Sequence, residues 1–450
     1  MMLAFARKKA LVIGARRTGA AVARYLTAQG ASVRLSDRSA IGFDDERASL
    51  TGTAVELCLG REDAALLDGI NLVIPSPGVP RNHPLIDAAI HRGIEVIAEI
   101  ELAYRSLPVP LYAVTGTNGK STTTELLGRM LRRAGRHPFV GGNLGTPLIE
   151  AIGTSVDCAV AEVSSFQLEW VRELRPAVGV FLNLTDDHLD RYASLDEYGE
   201  AKAALFRAQT PEDWVVLSRE DPWVWRLSQR LPGRTISFGF DEVEYGTFPR
   251  DGTIVIRLPD ASRNGKELTI SMARTRLRGL HNLENVMAAS TAALLAGATP
   301  VGVQRAIDEF PGLPHRLQLV REKDGVAWVD DSKGTNVGAV VKSLASIDPP
   351  VILLAGGVDK GGSYEPLRPL VRQRVKQLVL FGEAREKIRR TLGEETETML
   401  VTSLEEAVAR ASVAARPGDT VLLSPACSSF DMFRDYAERG ERFRALVEAL

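Results

Sequence analysis

Through residues 1–107 short apolar runs alternate with stretches whose apolar positions recur at helical spacing: KALVIG, TGAAVARYLTAQG, ASVRLSD, INLVIPSPG, PLIDAAIHRG and IEVIAE. Strand, helix and strand in series predict a parallel sheet covered on both faces, of the Rossmann-like kind. At RSLPVPL, Pro108 and Pro110 interrupt the pattern and mark a linker. A second block, 108–312, runs from the strand LYAV and a helix beginning near Ser121 through the buried strands DCAVAEV and AVGVFLNLT. Its segments RTISFGF, GTIVIRLP and KELTISMA alternate with turn residues and predict a small antiparallel sheet attached to an α/β core. The helices NLENVMAASTAALLAG and VGVQRAIDEF close the block, and FPGLPHR marks the next boundary. From 313 to 450 the strands GVAWVDDS, VILLAGG, QLVLFG, TMLV and DTVLLSPA alternate with helices such as SLEEAVARASVAA, which predicts a third, Rossmann-like unit. The expected fold class is therefore α/β with three domains: 1–107, 108–312 and 313–450.

Composition narrows the partners. With 450 residues, 55 Lys plus Arg against 57 Asp plus Glu and a net charge of -2, the chain has no overall drive toward nucleic acid or anionic lipid, so any anion site must be local. No apolar run reaches the ~18 residues of a membrane span, and the first apolar stretch stops at Arg7. Cys58, Cys158 and Cys427 are far apart with no C-x-x-C pair, which fits a reducing compartment. The expectation is a cytoplasmic, monomeric protein without membrane insertion or nucleic-acid binding.

The strongest chemical signal is Thr115-Gly116-Thr117-Asn118-Gly119-Lys120-Ser121, between an apolar strand and a helix. Glycines let backbone N–H groups approach phosphate oxygens, Lys120 neutralises β/γ charge, and the Ser121 hydroxyl can ligate Mg²⁺. Val114 stands where the usual phosphate loop has its first glycine, so the cradle is a variant. ATP is the expected ligand; the loop alone leaves hydrolase, kinase, ligase and non-catalytic switch open.

Residues 115–122 match TGTNGKST, the phosphate loop of the Mur ligase family, which the chain resembles further in GGNLGTP, EVSSFQLE, DDHLDRY, GLHNLEN, LPHR, DDSKGTN, GGVDKG and LSPACSSFDMF. DSKGTN with SPACSSFDMF and YAERGERF is most similar to the branch that joins D-glutamate to UDP-N-acetylmuramoyl-L-alanine. The resemblance implies an ATP-dependent, ADP-forming amide ligase of peptidoglycan precursor synthesis, working through an acyl phosphate. A Mur-type or folylpolyglutamate-type ligase with another amino acid is the nearest alternative, and a P-loop switch or kinase the more distant one.

The resemblance also implies roles. Lys120, Glu162, His188 and Lys202 are the catalytic group. Two Mg²⁺ ions are expected on Ser121, Glu162, His188 and Lys202, the last as a carbamate. ATP falls to Gly116, Thr117, Asn118, Gly119, Lys120, Ser121, Thr122, Asn282, Asn285, Arg316 and Asp331, with Asn282 also readable as a helix cap. Lys333, Thr335, Lys360, Ser429 and Phe430 are expected to position the amino acid, while Val358 departs from the acidic residue of some relatives. In the first domain Gly14-Ala15-Arg16-Arg17-Thr18-Gly19 looks like a dinucleotide fingerprint whose second glycine has become Arg16, which obstructs pyrophosphate approach and favours UDP over NAD. Arg16, Thr18, Asp37, Arg38, Ser76, Gly78 and Asn143 are the expected UDP-substrate residues.

Overall fold

A computed structural model describes residues 5–143, 145–259, 267–277 and 279–450. Residues 1–4, Leu144 of the GGNLGTP motif and Lys266 of KELTISMA lie outside them. The first sheet is all parallel, in the order Glu56–Leu59, Ser32–Asp37, Lys9–Ile13, Leu72–Pro75, Glu95–Val96. The chain reverses its direction of strand addition between Lys9–Ile13 and Leu72–Pro75, and a crevice opens at the carboxyl ends of those two strands, where doubly wound sheets bind ligands. IEVIAE departs from its predicted strand: only Glu95 and Val96 pair at this sheet edge, and a helix, Glu99–Ser106, begins at the run's last residue.

The central sheet has nine strands. Leu111–Thr115, carrying the phosphate loop, lies between Cys158–Glu162 and Val178–Phe181, all parallel. The predicted antiparallel strands do not form a separate layer. Arg234–Phe238 pairs parallel to Trp214–Ser218, and Thr253–Arg257 and Leu268–Ser271 extend the same sheet antiparallel beyond Gly246–Arg250. Alternation of side chains identified these segments as strands, but period two is common to both pairing directions. The helix Lys120–Arg133 fully buries Leu126, Leu127, Met130 and Leu131 against this sheet, each contributing about 1.5–3 kcal/mol. That burial holds the helix start, and with it the phosphate loop, on a rigid floor.

The third sheet has six strands: Gln318–Lys323 pairs antiparallel with Val326–Asp330, and the remaining pairs are parallel. Gln318–Lys323 was not predicted, because QLVREK has no clean alternation and sits at a sheet edge.

The first two sheets share one apolar cluster, running from Val12 and Leu26 through Ile100 and Leu148 to Phe181. The third has its own clusters, around Leu353 and around Leu423, and meets the central sheet through polar contacts: Asn336 with Asn118 and Asp187, Lys342 with Glu284, and Lys360 with Asp187. An interface of that kind separates more readily than a shared core. Among the described residues no helix is long and apolar enough to cross a membrane.

Candidate active site

The phosphate loop is fixed by the chain leaving Val178–Phe181. Asn183 accepts from the Thr117 N–H through its carbonyl (2.9 Å) and from the Asn118 N–H through Oδ1 (2.9 Å), while its Nδ2 donates to the Asn118 carbonyl (3.1 Å). The Thr185 N–H donates to Thr117 Oγ1 at 3.0 Å. Gly119 is left-handed at φ 86°, and a Cβ there would sit 2.1 Å from Asn285 Oδ1. Only glycine meets both conditions. Lys120 Nζ donates to the Gly116 and Thr117 carbonyls at 3.0 and 2.8 Å, curled over the loop it belongs to. Burial lowers its pKa, and Glu162 and Asp187 partly restore the charged form.

Glu162 ends its strand in register with Val114, immediately beside the loop. Its Oε1 accepts from Asn143 Nδ2 at 2.8 Å, and its buried Oε2 has no hydrogen-bond partner among the described residues. Burial raises this carboxyl's pKa, but Lys120, Lys333, Asn143 and Ser121 together hold it below the ordinary value. A buried, ionised carboxylate with one oxygen unmatched fits a cation.

Lys202, on Leu195–Ala203, is 1 % exposed; its Nζ donates to the Gly116 carbonyl at 2.9 Å and lies 4.4 Å from the Tyr198 ring centre. Burial, then Lys120, drive its pKa well below the usual lysine value. That direction favours the neutral amine, the form that reacts with CO₂. His188 stands in the left-handed region at φ 56°, edge-on to Phe166 and Tyr198. Burial pushes its pKa down to about 4 against the pull of Asp187, so at neutral pH it is an imidazole with a free lone pair. Among the described residues no group of three or more His, Cys, Asp and Glu gathers as a ready-made metal cage. Glu162, Ser121, His188 and Lys202, the residues expected to hold metal, lie around Lys120 and the phosphate loop.

Three cavities converge on this centre. The first, about 660 Å³, lies in the crevice of the first sheet and brings together Arg16, Thr18, Asp37, Arg38, Ser76, Gly78 and Asn143. Asp37 also holds its own loop, accepting from the Ala15 and Ser39 N–H groups at 2.9 and 3.0 Å. The second is bounded by Asn118, Gly119, Thr122, Asn282, Asn285, Arg316 and Asp331. Asn282 does not cap its helix, because Leu280–Leu295 begins after Gly279 and places Asn282 inside the first turn. Arg316 Nη2 approaches Ser121 Oγ at 3.5 Å across the domain boundary, and its Nε is buried without a partner. Asp331 Oδ2 accepts from Ser343 and Ser424 at 2.7 and 2.6 Å, and burial raises its pKa to about 6.

The third cavity, about 380 Å³, is lined by Lys120, Asn143, His188, Lys202, Thr335, Lys360, Ser429 and Phe430. Phe430 only edges it, being 73 % exposed. Sequence reasoning missed Tyr436, which lines the same cavity and accepts from Lys333 Nζ at 2.8 Å. It also missed Asp187, whose carboxylate takes Lys360 Nζ and Asn336 Nδ2, both at 3.1 Å. Both lie inside motifs that were read, YAERGERF and DDHLDRY, and an aromatic or acidic residue there was the available signal. Asn143 lines both the first and the third cavity, and the third is also bordered by Lys120 of the phosphate loop.

Family models match along the chain: "Mur ligase MurD-like, N-terminal domain" over residues 8–98, "Mur ligase middle domain" over 114–293 and "Mur ligase, glutamate ligase domain" over 315–427. The chain is 48 % identical over 447 residues to the UDP-N-acetylmuramoylalanine--D-glutamate ligase of Geobacter metallireducens, covering 98 % of each chain. It is 47 % identical over 450 residues to the enzyme of that name from Syntrophotalea carbinolica, covering 100 % of this chain and 99 % of that one. Among solved structures, a pseudomurein peptide ligase type C from Methanothermus fervidus aligns at TM-score 0.63 and 20 % identity over 98 % of this chain and all of that one. The UDP-N-acetylmuramate-alanine ligase of Thermotoga maritima aligns at 0.61 with the same identity and coverage. Those two likenesses establish the three-domain fold.

Proposed function

The chain belongs to the Mur ligase family, and from that premise we propose that it is the ATP-dependent, ADP-forming ligase that adds D-glutamate to UDP-N-acetylmuramoyl-L-alanine in peptidoglycan precursor synthesis. The observation that carries this reading is that the first and third cavities share Asn143, while the third and second border consecutive residues of the phosphate loop, Lys120 and Gly119. The UDP end occupies the first cavity, where Arg16, Arg17 and Arg38 offer charge to phosphates. ATP lies along the second, its phosphates over the loop. D-Glutamate enters the third, where Lys360, Thr335, Ser429 and Tyr436, with Lys333 bonded to Tyr436 beside them, offer donors for two carboxylates.

The chemistry needs a carboxylate and a triphosphate in contact. A carboxylate oxygen of the muramoyl-alanine forms a bond to the γ-phosphorus as the bond from that phosphorus to the ADP oxygen breaks. The D-glutamate nitrogen, as free amine, then attacks the acyl carbon; the C–O bond to phosphate breaks and the amine proton is released. Lys120 neutralises phosphate charge, and Arg316, arriving from the third domain, adds a second cation. Glu162 with Ser121, and His188 with Lys202 as carbamate, would hold Mg²⁺, which supplies charge neutralisation between the two anions. Closure of the third domain over its polar interface excludes water from the acyl phosphate. The separate, buried thiols Cys58, Cys158 and Cys427 suit a reducing cytoplasm.

The test is phosphate release with ATP, UDP-N-acetylmuramoyl-L-alanine and each of a panel of amino acids. Release dependent on D-glutamate is expected. Release with a different amino acid would transfer the chain to another substrate, and release needing no amino acid would make it a nucleotide hydrolase.

A further inference from the structure

Two carboxylates of the helix Glu99–Ser106 are buried and turned toward the central domain. Glu101 takes three backbone N–H groups, from Arg172, Glu173 and Leu174, at 2.9 to 3.0 Å, and Arg105 Nε at 2.9 Å. Glu99 is different. Its Oε1 accepts from the Ile149 N–H at 2.7 Å and it is 1 % exposed; among the described residues its buried Oε2 has no hydrogen-bond partner and no cation is bonded to it. A buried carboxyl left half-satisfied is destabilising, so its presence needs another explanation.

Ile149 belongs to the 3-10 turn Leu148–Ala151, which follows the strand Pro138–Gly142 and Asn143. Asn143 is bonded to Glu162 twice, N–H to carbonyl and Nδ2 to Oε1, both at 2.8 Å. Gly142, at φ 89°, allows the approach, since a Cβ there would meet the Glu162 carbonyl at 2.4 Å. The first domain holds this stretch at three points: Glu99 on Ile149, Arg17 Nη2 on Thr146 Oγ1 at 3.3 Å, and Arg24 paired with Glu150. Arg17 and Arg24 lie on the helix Arg17–Ala28, whose start faces the cavity assigned to UDP.

We propose that Glu99 is a positioning residue: together with Arg24 it clasps the stretch around Ile149 to the first domain, so that the UDP-side helix sets the Asn143 contact to Glu162. The inference rests on the ligase reading above. The helix at the UDP-side cavity and the carboxylate beside the phosphate loop are thereby linked through one segment across the domain boundary: Glu99, Arg17 and Arg24 hold Ile149, Thr146 and Glu150, the Gly142 N–H donates to the Thr146 carbonyl at 2.7 Å, and Asn143 bonds Glu162. Glu99 touches no substrate; it acts through Ile149 and Asn143.

The experiment measures steady-state phosphate release with the full chain in wild-type, Glu99→Ala, Glu99→Gln and Arg24→Ala forms, varying each substrate in turn. Wild-type activity dependent on D-glutamate is required first, and its absence would count against the ligase reading rather than the clasp. Glu99→Ala is expected to lower kcat/KM for UDP-N-acetylmuramoyl-L-alanine about tenfold, the scale of one lost buried hydrogen bond, with the KM for D-glutamate unmoved. Glu99→Gln, which keeps an acceptor for Ile149, recovers most of that loss. Arg24→Ala breaks only a half-exposed pair, so it folds regardless, and it moves the same parameter in the same direction by a smaller factor. Unchanged kcat/KM for the UDP substrate in Arg24→Ala and in folded Glu99→Ala overturns the proposal; so does an equal loss for all three substrates.

Discussion

Replacing Glu99 by glutamine removes a charge that the fold keeps out of water. Burial raises the Glu99 pKa from 4.5 to about 7; the amides of Ile149 and Leu148 pull it down, and Glu150, itself paired with Arg24, pushes it up. Because the folded-state pKa is raised, the native chain binds the proton more tightly than the unfolded chain does. The penalty is absent below the unfolded value, grows as pH rises through the interval, and is complete above the folded value. With each pKa unit equivalent to about 1.4 kcal/mol, Glu99 costs the fold about 3 kcal/mol at pH 8.5, where it is ionised in both states, and only about 1 kcal/mol at pH 5.5, where the folded chain holds it protonated. Glutamine has the same shape and no charge. The Glu99→Gln protein is therefore expected to be more stable than wild type, by an amount that grows from the acidic to the alkaline condition. Urea unfolding of both proteins at the two pH values, followed through the transition of the joined first and central domains, reads this difference directly. A glutamine variant no more stable than wild type at pH 8.5, or an advantage that fails to shrink on acidification, would refute the reasoning. Glu101 supplies the contrast: its carboxylate is matched by three amides and an arginine, so Glu101→Gln should destabilise by about 2 kcal/mol in the same measurement.

Lys120→Ala should abolish turnover while circular dichroism and melting stay native, because its side chain bonds only to its own loop; near-normal activity would remove it from the phosphate site. Gly119→Ala forces a left-handed alanine into Asn285, so ATP binding by calorimetry should fall at least tenfold. Ser429→Ala should raise the D-glutamate KM with little change in the ATP KM. Burial and the neighbouring Arg316 lower the Lys333 pKa to about 8, with Glu162 opposing them, so its charge is lost as pH rises through that value. The D-glutamate KM should accordingly climb above pH 8, and Lys333→Arg, which stays charged, should flatten the climb.

The parts of the site that could be read before the structure share a physical cause: each is written in a short, contiguous stretch whose chemistry depends on local order. The loop 115–121 needs its glycines, lysine and serine at fixed offsets from one strand and one helix, and the fold delivers them there. The edge-on rings around His188 and the burial of Lys202 were not legible, because they arise where Phe166 and Tyr198 from separate helices close on one point. The same holds for Glu99, whose partner Ile149 is fifty positions away. As sequence, its IEVIAE context reads as a strand; the structure pairs only Glu95 and Val96 at the sheet edge and starts a helix at Glu99, where the side chain is buried. The missed direction of Arg234–Phe238 has the corresponding origin, since parallel and antiparallel strands alternate alike and the choice is made by which neighbour is free to pair. The division has a consequence for the mechanism. The charged residues of the loop are local and legible, whereas those that bring separate segments into register, Asn183 under the loop within the central domain, and Asp187 against Lys360 and Glu99 against Ile149 between domains, are paired across distances in sequence that no motif spans. On the proposed placement of the three substrates, the reaction depends on that second set as much as on the first. Substitutions there should therefore separate binding of one substrate from binding of the others, where substitutions in the loop abolish turnover altogether.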